Sequence, residues 1–369
     1  MDGGALIGHG TFGCVFDPPL RCRGRTPQDG KTHMVGKLGE AYDIANELYA
    51  SKVLSEVTNS KEYFALADNN NVCKYNNLAE TRAKTKDINE CKIECETIRK
   101  EGASQTIYYS MPFGGISINK YFGGIIKGAA VAKRDPIHPR VIITHLLEAC
   151  ATMTLNNIVH YDIHTGNILF DEKTQLPRLI DFGMSFSADA IDKEMITNSW
   201  KIYSPTHPTE PPEITILTRL RKNGISFNTV FQEVLNGKAP LKKGQALMNL
   251  PLNLQRKTFL EFWNKSQSIK KDDVVSFFKF YWPGFDAWSV GVVIQNLLVN
   301  FALNSVYSKE ADWKSTEVAI VELLRGLLQM SPSRRIDCVE ALAMFSPENR
   351  VLLSASGKAW LQGKAKMRI

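Results

Sequence analysis

The chain has 369 residues, 44% of them hydrophobic and 22% charged, with a formal net charge of +7. That length suits two packed domains, and the balance excludes a largely disordered chain. The basic excess is scattered over RCRGR near the start, the 238–271 region and the last dozen residues, which suits anionic ligands such as nucleotides and neither requires nor excludes nucleic acid.

In chain order, residues 5–16 alternate turn glycines with β-formers, ALIG then CVF, and predict a glycine-tipped hairpin stopped by Pro18-Pro19. HMVGKL at 33–38 is a third short strand, and AYDIANELYASKVLSEV at 41–57 has helical apolar spacing. Residues 58–104 are polar and predict short helical pieces at best, before β-type residues return in ASQTIYYSMPF. FGG at 113–115 marks a break. Beyond it, Val141, Ile142, Leu146, Leu147, Cys150 and Met153 predict a long buried helix, followed by strands at NILF and LPRLID. The prolines at 205, 208, 211 and 212 argue against regular structure from Ser204 to Glu213. Helical pieces are expected at 214–222, 227–236 and 254–267, then at 286–303, 315–330 and 337–345. AWSVGVVIQNLLVNFAL, interrupted by Gln295, Asn296 and Asn300, is expected to be a buried core helix and not a membrane span.

Seven cysteines, at 14, 22, 73, 91, 95, 150 and 338, form no C-x-x-C pair, and their odd number argues against a complete disulfide framework. Free thiols in a reducing, intracellular compartment are the simpler expectation. Zinc on Cys73, Cys91 and Cys95 would need a fourth ligand. MDGGALIGHG lacks a basic n-region and an apolar core, so no signal peptide is expected, and Asp2 excludes N-myristoylation.

Gly8, His9, Gly10, Thr11, Phe12, Gly13, Cys14 and Val15 match G-x-G-x-x-G-x-V. Glycines there let backbone amides approach phosphates closely. A dinucleotide fingerprint would start a helix at the last glycine, but strand residues and two prolines follow, so the hairpin version fits better. Lys37 ends the strand MVGK, where it can present an ammonium to phosphates. Its anion is expected to be Glu47, with Glu40 and Glu56 as competitors. In IVHYDIHTGNILF, His160, Asp162 and His164 alternate like metal ligands on a strand, yet Asp162 and Asn167 stand five apart, as in a phosphotransferase loop.

H-x-D-x-x-x-x-N followed fourteen residues later by Asp181-Phe182-Gly183 resembles the catalytic loop and magnesium motif of the protein-kinase superfamily. Pro212-Glu213 resembles the end of the activation segment, Asp286-Ala287-Trp288-Ser289-Val290-Gly291 the start of the central C-lobe helix, and Pro332-Ser333-Arg334-Arg335 the late P-x-x-R. More narrowly, GHGTFGCVFDPPLRC with MPFGG is similar to serine/threonine kinases of large nucleocytoplasmic DNA viruses.

The resemblance implies an α+β bilobal fold: a β-rich N-lobe over 1–113, a mainly helical C-lobe over 114–346, and a basic extension over 347–369. An insertion at 214–281, carrying Lys238, Lys242, Lys243, Lys270 and Lys271, is expected to form its own helical subdomain. The same resemblance implies ATP and Mg2+ as cofactors, a protein substrate, and transfer of the γ-phosphoryl group to a serine or threonine hydroxyl. Asp162 would orient that hydroxyl, Asn167 and Asp181 would hold magnesium, and Glu213 would pair with Arg335. Ser110, Met111 and Phe113 would meet adenine through backbone groups, although Pro112 lacks an N–H. His160 would be a core histidine near the motif's Phe182.

Two departures stand out. His164 occupies the place of a lysine that stabilises the transferring phosphoryl group, as in small-molecule phosphotransferases and haspin-like kinases. Tyr161 replaces the arginine that clamps a phosphorylated activation loop, which implies activity without such phosphorylation. Thr206, seven residues before Glu213, is placed to bond the catalytic aspartate, or is one more loop threonine. A small-molecule phosphotransferase and a non-catalytic kinase-like scaffold are the rival readings. The substrate and the oligomeric state are not legible.

Overall fold

The computed structural model describes residues 4–10, 13–24, 32–78, 90–91, 106–126, 137–171, 173–221 and 224–367. The chain divides into two units, Met1–Gly115 with Arg178–Ser185, and Ile116–Pro177 with Phe186–Ile369.

The first unit is built on strands β1 (Ala5–Gly10), β2 (Gly13–Asp17), β3 (Met34–Glu40), β4 (Val72–Lys74) and β5 (Thr106–Pro112), in the order β1-β2-β3-β5-β4. All pairings are antiparallel, with Gly10 opposite Gly13 at the hairpin end and Val15, Lys37 and Tyr109 in one row across the sheet. Side-chain alternation sorts two faces. Phe16, Leu38 and Tyr108 point to one face, with Leu20 and Leu78. Val35, Tyr109 and Met111 point to the other, with Ile44 of helix α1 (Ala41–Ser55). Two glycines make the sheet possible. A Cβ on Gly13 would come within 2.4 Å of the Leu38 carbonyl oxygen, and one on Gly36 within 2.1 Å of the Tyr108 hydroxyl, which donates to the Leu20 carbonyl. β4 lies in the polar stretch where the sequence predicts no strand.

The cysteines correct the thiol expectation. Cys14 is joined to Cys91 and Cys22 to Cys73. All four share the first face's core, so folding brings together residues 77 and 51 apart, which spacing in the sequence does not reveal. Two of the three cysteines considered for zinc are thereby consumed, Cys95 lies outside the described residues, and the argument for a reducing compartment loses its premise. Cys150 and Cys338 are buried free thiols.

Arg178–Ser185 belongs with the first unit, although the sequence reading put it with the C-terminal residues. Backbone and side-chain bonds explain the placement: Ala65 N–H donates to the Leu179 carbonyl at 3.1 Å, and Asn46 Nδ2 to the Gly183 carbonyl at 3.1 Å.

The second unit is mainly helical. Its core elements are α2 (Pro139–Leu155), α3 (Pro283–Leu303) and α4 (Cys338–Phe345), together with the short strands β6 (Ile158–Val159) and β7 (Ile168–Phe170) that bracket the catalytic-loop sequence. α3 is long and apolar enough to cross a membrane, but most of it is buried within the protein, as its polar interruptions predict. The last residues form a further helix, Ala355–Met367.

The insertion, expected as a helical subdomain, falls within the second unit. A helix over Pro212–Leu220 starts two residues earlier than the proline cluster suggests, because a proline lacks an N–H that the first helical position does not need. Helices follow at Phe227–Gly237, Ala239–Met248, Leu252–Lys265 and Val274–Tyr281, of which the second and fourth are absent from the sequence reading. Phe231, Phe259 and Trp263 stack in their midst. Gln255 then ties the insertion to the rest of the unit, donating to the Leu328 carbonyl at 3.1 Å and accepting from Met330 N–H at 2.8 Å.

The expected pair of Glu213 and Arg335 is present and fully buried. Arg335 donates from both terminal nitrogens to the two Glu213 oxygens at 2.7 and 2.8 Å, and also to the carbonyls of Gly284, Gln329 and Met330. Removing one partner strands the other charge. Arg335→Met is therefore expected to destabilise the unit by roughly 3–5 kcal/mol in urea unfolding, and Glu213→Leu/Arg335→Met by clearly less. Equal losses in the single and double variants would mean that the stranded charge is not the cause.

Candidate active site

In the first unit, Lys37 lies on the face of β3 that α1 covers. Its ammonium donates to Glu47 at 2.8 Å and to Asp181 at 2.7 Å. Glu47 is thus the partner among the three candidates, since Glu40 caps the start of α1 and Glu56 its end. Burial alone would lower the Lys37 ammonium, but the carboxylates of Asp181 and Glu47 outweigh it and hold it protonated. Asp181 takes a left-handed backbone, φ 64°, and Phe182 is buried with its ring edge-on to Phe64 at 5.8 Å.

A further carboxylate that sequence reasoning missed, Asp43, stands one helical turn before Glu47. It is 8% exposed, and its Oδ2 has no hydrogen-bond partner among the described residues. Burial first, then Glu40, Asp181 and Glu47, push it up to about 7 against the opposing pull of Lys37. A folded value above the ordinary one means that ionisation costs stability, with no cost below the ordinary carboxylate range and the full cost above about 7. In cation-free buffer Asp43→Asn is expected to be more stable than wild type at pH 8, by on the order of 2 kcal/mol, and to lose that advantage toward pH 4. Parallel pH profiles of unfolding temperature for the two proteins would sink this reading.

The expected glycine hairpin is present: Gly8, His9 and Gly10 end β1, and Gly13 and Val15 lie on β2. Thr11 and Phe12 lie outside the described residues. The adenine expectation needs revision. Ser110, Met111 and Pro112 are strand residues paired with Gly36, Val35 and Met34. The Ser110 carbonyl accepts from Asp68 N–H at 2.8 Å, and Phe113 N–H donates to the His33 carbonyl at 2.8 Å, so the Phe113 donor is already engaged.

In the second unit, Asp162 is the centre of a dense network. Its Oδ1 accepts from Lys201 Nζ at 2.7 Å. Asn167 Nδ2 donates to the Asp162 carbonyl at 3.0 Å and to its Oδ2 at 3.3 Å, which leaves the amide oxygen of Asn167 as the acceptor for a cation. His164 Nδ1 accepts from Gly166 N–H at 3.0 Å, so its Nε2 faces Asp162 Oδ2 at 3.5 Å as the proton-bearing nitrogen. Burial would raise the Asp162 carboxyl, but the hydrogen bond from His164 and the ammonium of Lys201 hold it well below the usual carboxylate range. His160 is fully buried, as expected of a core histidine, and is no metal ligand in the manner its spacing suggested: its ring accepts from Asp162 N–H at 3.4 Å.

Thr206 is a correction. It is exposed and lies 3.3 Å from Ser204 Oγ, while Lys201 occupies the position beside Asp162 that the alignment assigned to the threonine. No motif marks Lys201; only folding brings it to a residue 39 positions earlier. Lys238, one of the lysines named in the insertion, is fully buried and donates to the His207 carbonyl at 2.6 Å. Burial draws its ammonium down to about 8 although Glu210 and Glu213 oppose this.

Comparison with known proteins agrees with this chemistry at the level of the superfamily. The model for the ABC1 atypical kinase-like domain matches residues 115–205, which hold the catalytic loop and Asp181. The chain is 26% identical over 180 residues to serine/threonine-protein kinase PrkC of Bacillus subtilis, covering 47% of this chain and 26% of that protein. It is 25% identical over 213 residues to extracellular signal-regulated kinase 2 of Dictyostelium discoideum, covering 57% and 52%. It is 31% identical over 116 residues to mitogen-activated protein kinase 15 of Xenopus laevis, covering 31% and 20%. The matched stretches thus span about half or less of each relative's length. These likenesses, together with the mixed α+β fold and the two residue networks, are what the chain shares with kinases and a kinase-like domain.

Proposed function

We propose that the chain is an ATP-dependent kinase that phosphorylates serine or threonine hydroxyls of proteins. The observation that carries this reading is the intact set of charged groups, each already held in a working arrangement: Lys37 on Glu47 and Asp181, and Asp162 on Asn167 and Lys201. Asn167 in the second unit and Asp181 in the first each offer an oxygen of the kind Mg2+ prefers, and bound metal would neutralise phosphate charge. Lys37 would bind phosphate oxygens, and Glu47 keeps its ammonium in place. Asp162, whose carboxyl stays ionised, would accept a hydrogen bond from the acceptor hydroxyl and orient it for attack. Pro212, Glu213, Asp286 to Gly291 and Arg335 favour a protein substrate through the resemblance they carry. The similarity of GHGTFGCVFDPPLRC to viral kinases rests on those residues alone.

With radiolabelled γ-phosphate ATP, Mg2+ and a mixed protein substrate such as casein, label is expected on serine and threonine, and Asp162→Ala is expected to lower turnover by ~10²–10⁴-fold. The second reading, transfer to a small hydroxyl compound, is favoured by His164 and by the match to an atypical kinase-like domain. Label on small alcohols and none on protein would establish it instead. Intact ATP binding with no transfer of either kind would make the chain a scaffold.

The reading includes activity without activation-loop phosphate. No arginine precedes Asp162, and the segment that follows the motif's Asp181 is held by other means. Arg221 stacks on Trp200 at 4.4 Å, Tyr203 donates to Glu233 at 2.5 Å, Lys238 binds the His207 carbonyl, and Trp288 and Ser289 bind the carbonyls of Pro208 and Thr209 at 3.0 and 2.8 Å. Phosphatase-treated protein, and the variant Thr197→Val/Ser204→Ala/Thr206→Val, are expected to retain activity within about 3-fold, a change of under 1 kcal/mol in barrier. Loss of activity on dephosphorylation, restored by rephosphorylation, would refute this.

A further inference from the structure

A carboxylate that orients a hydroxyl toward phosphorus faces an electrostatic difficulty. Both the carboxylate and the phosphoryl group are anionic, and charge spreads onto the phosphoryl oxygens as transfer proceeds. A cation fixed beside the carboxylate relieves the repulsion and stabilises that charge. His164 does not meet the need: with Nδ1 accepting from Gly166 N–H, the N–H on its Nε2 is directed at Asp162 and not toward an incoming phosphoryl group. Among the described residues, the cation hydrogen-bonded to Asp162 is Lys201.

The surroundings of Lys201 are those of a placed charge. Its ammonium donates to Asp162 Oδ1 at 2.7 Å and to the Tyr161 carbonyl at 2.8 Å, and lies 5.2 Å from the centre of the Tyr161 ring. Its side chain is 17% exposed. An ammonium has three N–H donors, so among the described residues one is left over. The segment that carries it is held on both sides, by Trp200 under Arg221 and by Tyr203 on Glu233 with Arg219 over its ring at 4.9 Å. A lysine whose task was only to neutralise Asp162 would need no such alignment; surface ion pairs of that kind are worth little.

We propose that Lys201 is a further catalytic residue, which donates its remaining N–H to the transferring phosphoryl group and stabilises it from a segment remote from the catalytic loop. The proposal rests on the kinase reading above. In the step itself the bond from the γ-phosphorus to the ADP oxygen breaks, the bond to the acceptor oxygen forms, and the acceptor's proton leaves by way of Asp162. Lys201 keeps its proton throughout. The position two residues after Asp162 is then free to hold a histidine.

The test relocates the charge. Turnover of Mg·ATP with casein is measured for wild type, Lys201→Met, Lys201→Gln and Lys201→Met/His164→Lys, with KM for ATP and unfolding temperature recorded for each. The neutral variants are expected to lose ~10²–10³-fold in kcat with KM for ATP within about 3-fold, because the lost interaction is made in the transition state. Lysine at 164 is expected to restore at least about tenfold of that loss, some 1.4 kcal/mol. Lys201→Gln keeps a donor to the Tyr161 carbonyl, so it decides the matter should Lys201→Met not fold. Near-wild-type kcat in either neutral variant overturns the proposal. So does a loss that accompanies a lower unfolding temperature and is not restored by the second substitution, since that marks a purely structural role. An inactive wild type would be a different failure, that of the kinase reading itself and of this proposal with it.

Discussion

The geometry of the second unit depends on one buried carboxylate. Asp286, in the first turn of α3, accepts the backbone N–H groups of His160 at 2.7 Å and Tyr161 at 2.9 Å. Those two bonds hold Tyr161 in a left-handed conformation, φ 65°, which a bulky residue adopts only when its surroundings impose it, at a cost of roughly 1–3 kcal/mol. The turn so produced sends the next side chain, Asp162, toward Asn167, His164 and Lys201. Burial raises the Asp286 carboxyl, yet two N–H donors and the nearby His160 favour its charged form. The same helix extends the constraint. Two and three residues on, Trp288 and Ser289 seize the carbonyls of Pro208 and Thr209, so a single helical turn fixes both the catalytic loop and the segment that follows Lys201.

The insertion completes what that turn begins. It carries Glu233 and, between two of its helices, Lys238, which grip Tyr203 and the His207 carbonyl, and Gly237 lies so close to Pro205 that an added Cβ would stand 2.8 Å from the Pro205 carbonyl oxygen. Close packing of this kind leaves the segment from Trp200 to Thr209 few alternatives. The segment is thus held by side chains that are always present. The tie through Gln255 anchors the insertion itself, so the support does not hang on a mobile appendage.

Much of this was legible in the sequence, for reasons particular to each residue. The hairpin was written in the glycines at 8, 10 and 13 and the prolines that follow. Lys37 and Glu47 were legible because a strand and the helix after it have fixed periodicities, which put both side chains on the covered face. Asp162, Asn167, Glu213 and Arg335 carried the spacing of a known loop and its distant ion pair. Lys201 carried no such mark, because a contact across 39 residues leaves no local pattern. Thr206 was misplaced for the converse reason: counting back from Glu213 assumes a segment of ordinary shape, and four prolines alter it. The burial of Lys238 was not legible because composition cannot reveal a carbonyl waiting in the interior. Nor was the engagement of Phe113 N–H, whose partner, the His33 carbonyl, lies within its own unit.

The two disulfides have a topological consequence. The loop closed by Cys22–Cys73 is nested inside the one closed by Cys14–Cys91, and β3 and α1, with Lys37 and Glu47, lie within both. Closing a loop of such length restricts the unfolded chain, by on the order of 4 kcal/mol in the chain-entropy picture. The first unit therefore carries a redox contribution to its stability, whereas the cysteines described in the second, Cys150 and Cys338, are buried thiols. Reduction of these two bonds removes that contribution from the unit that carries Lys37 and Glu47, whereas the described cysteines of the unit that carries Asp162 and Asn167 have no disulfide to lose.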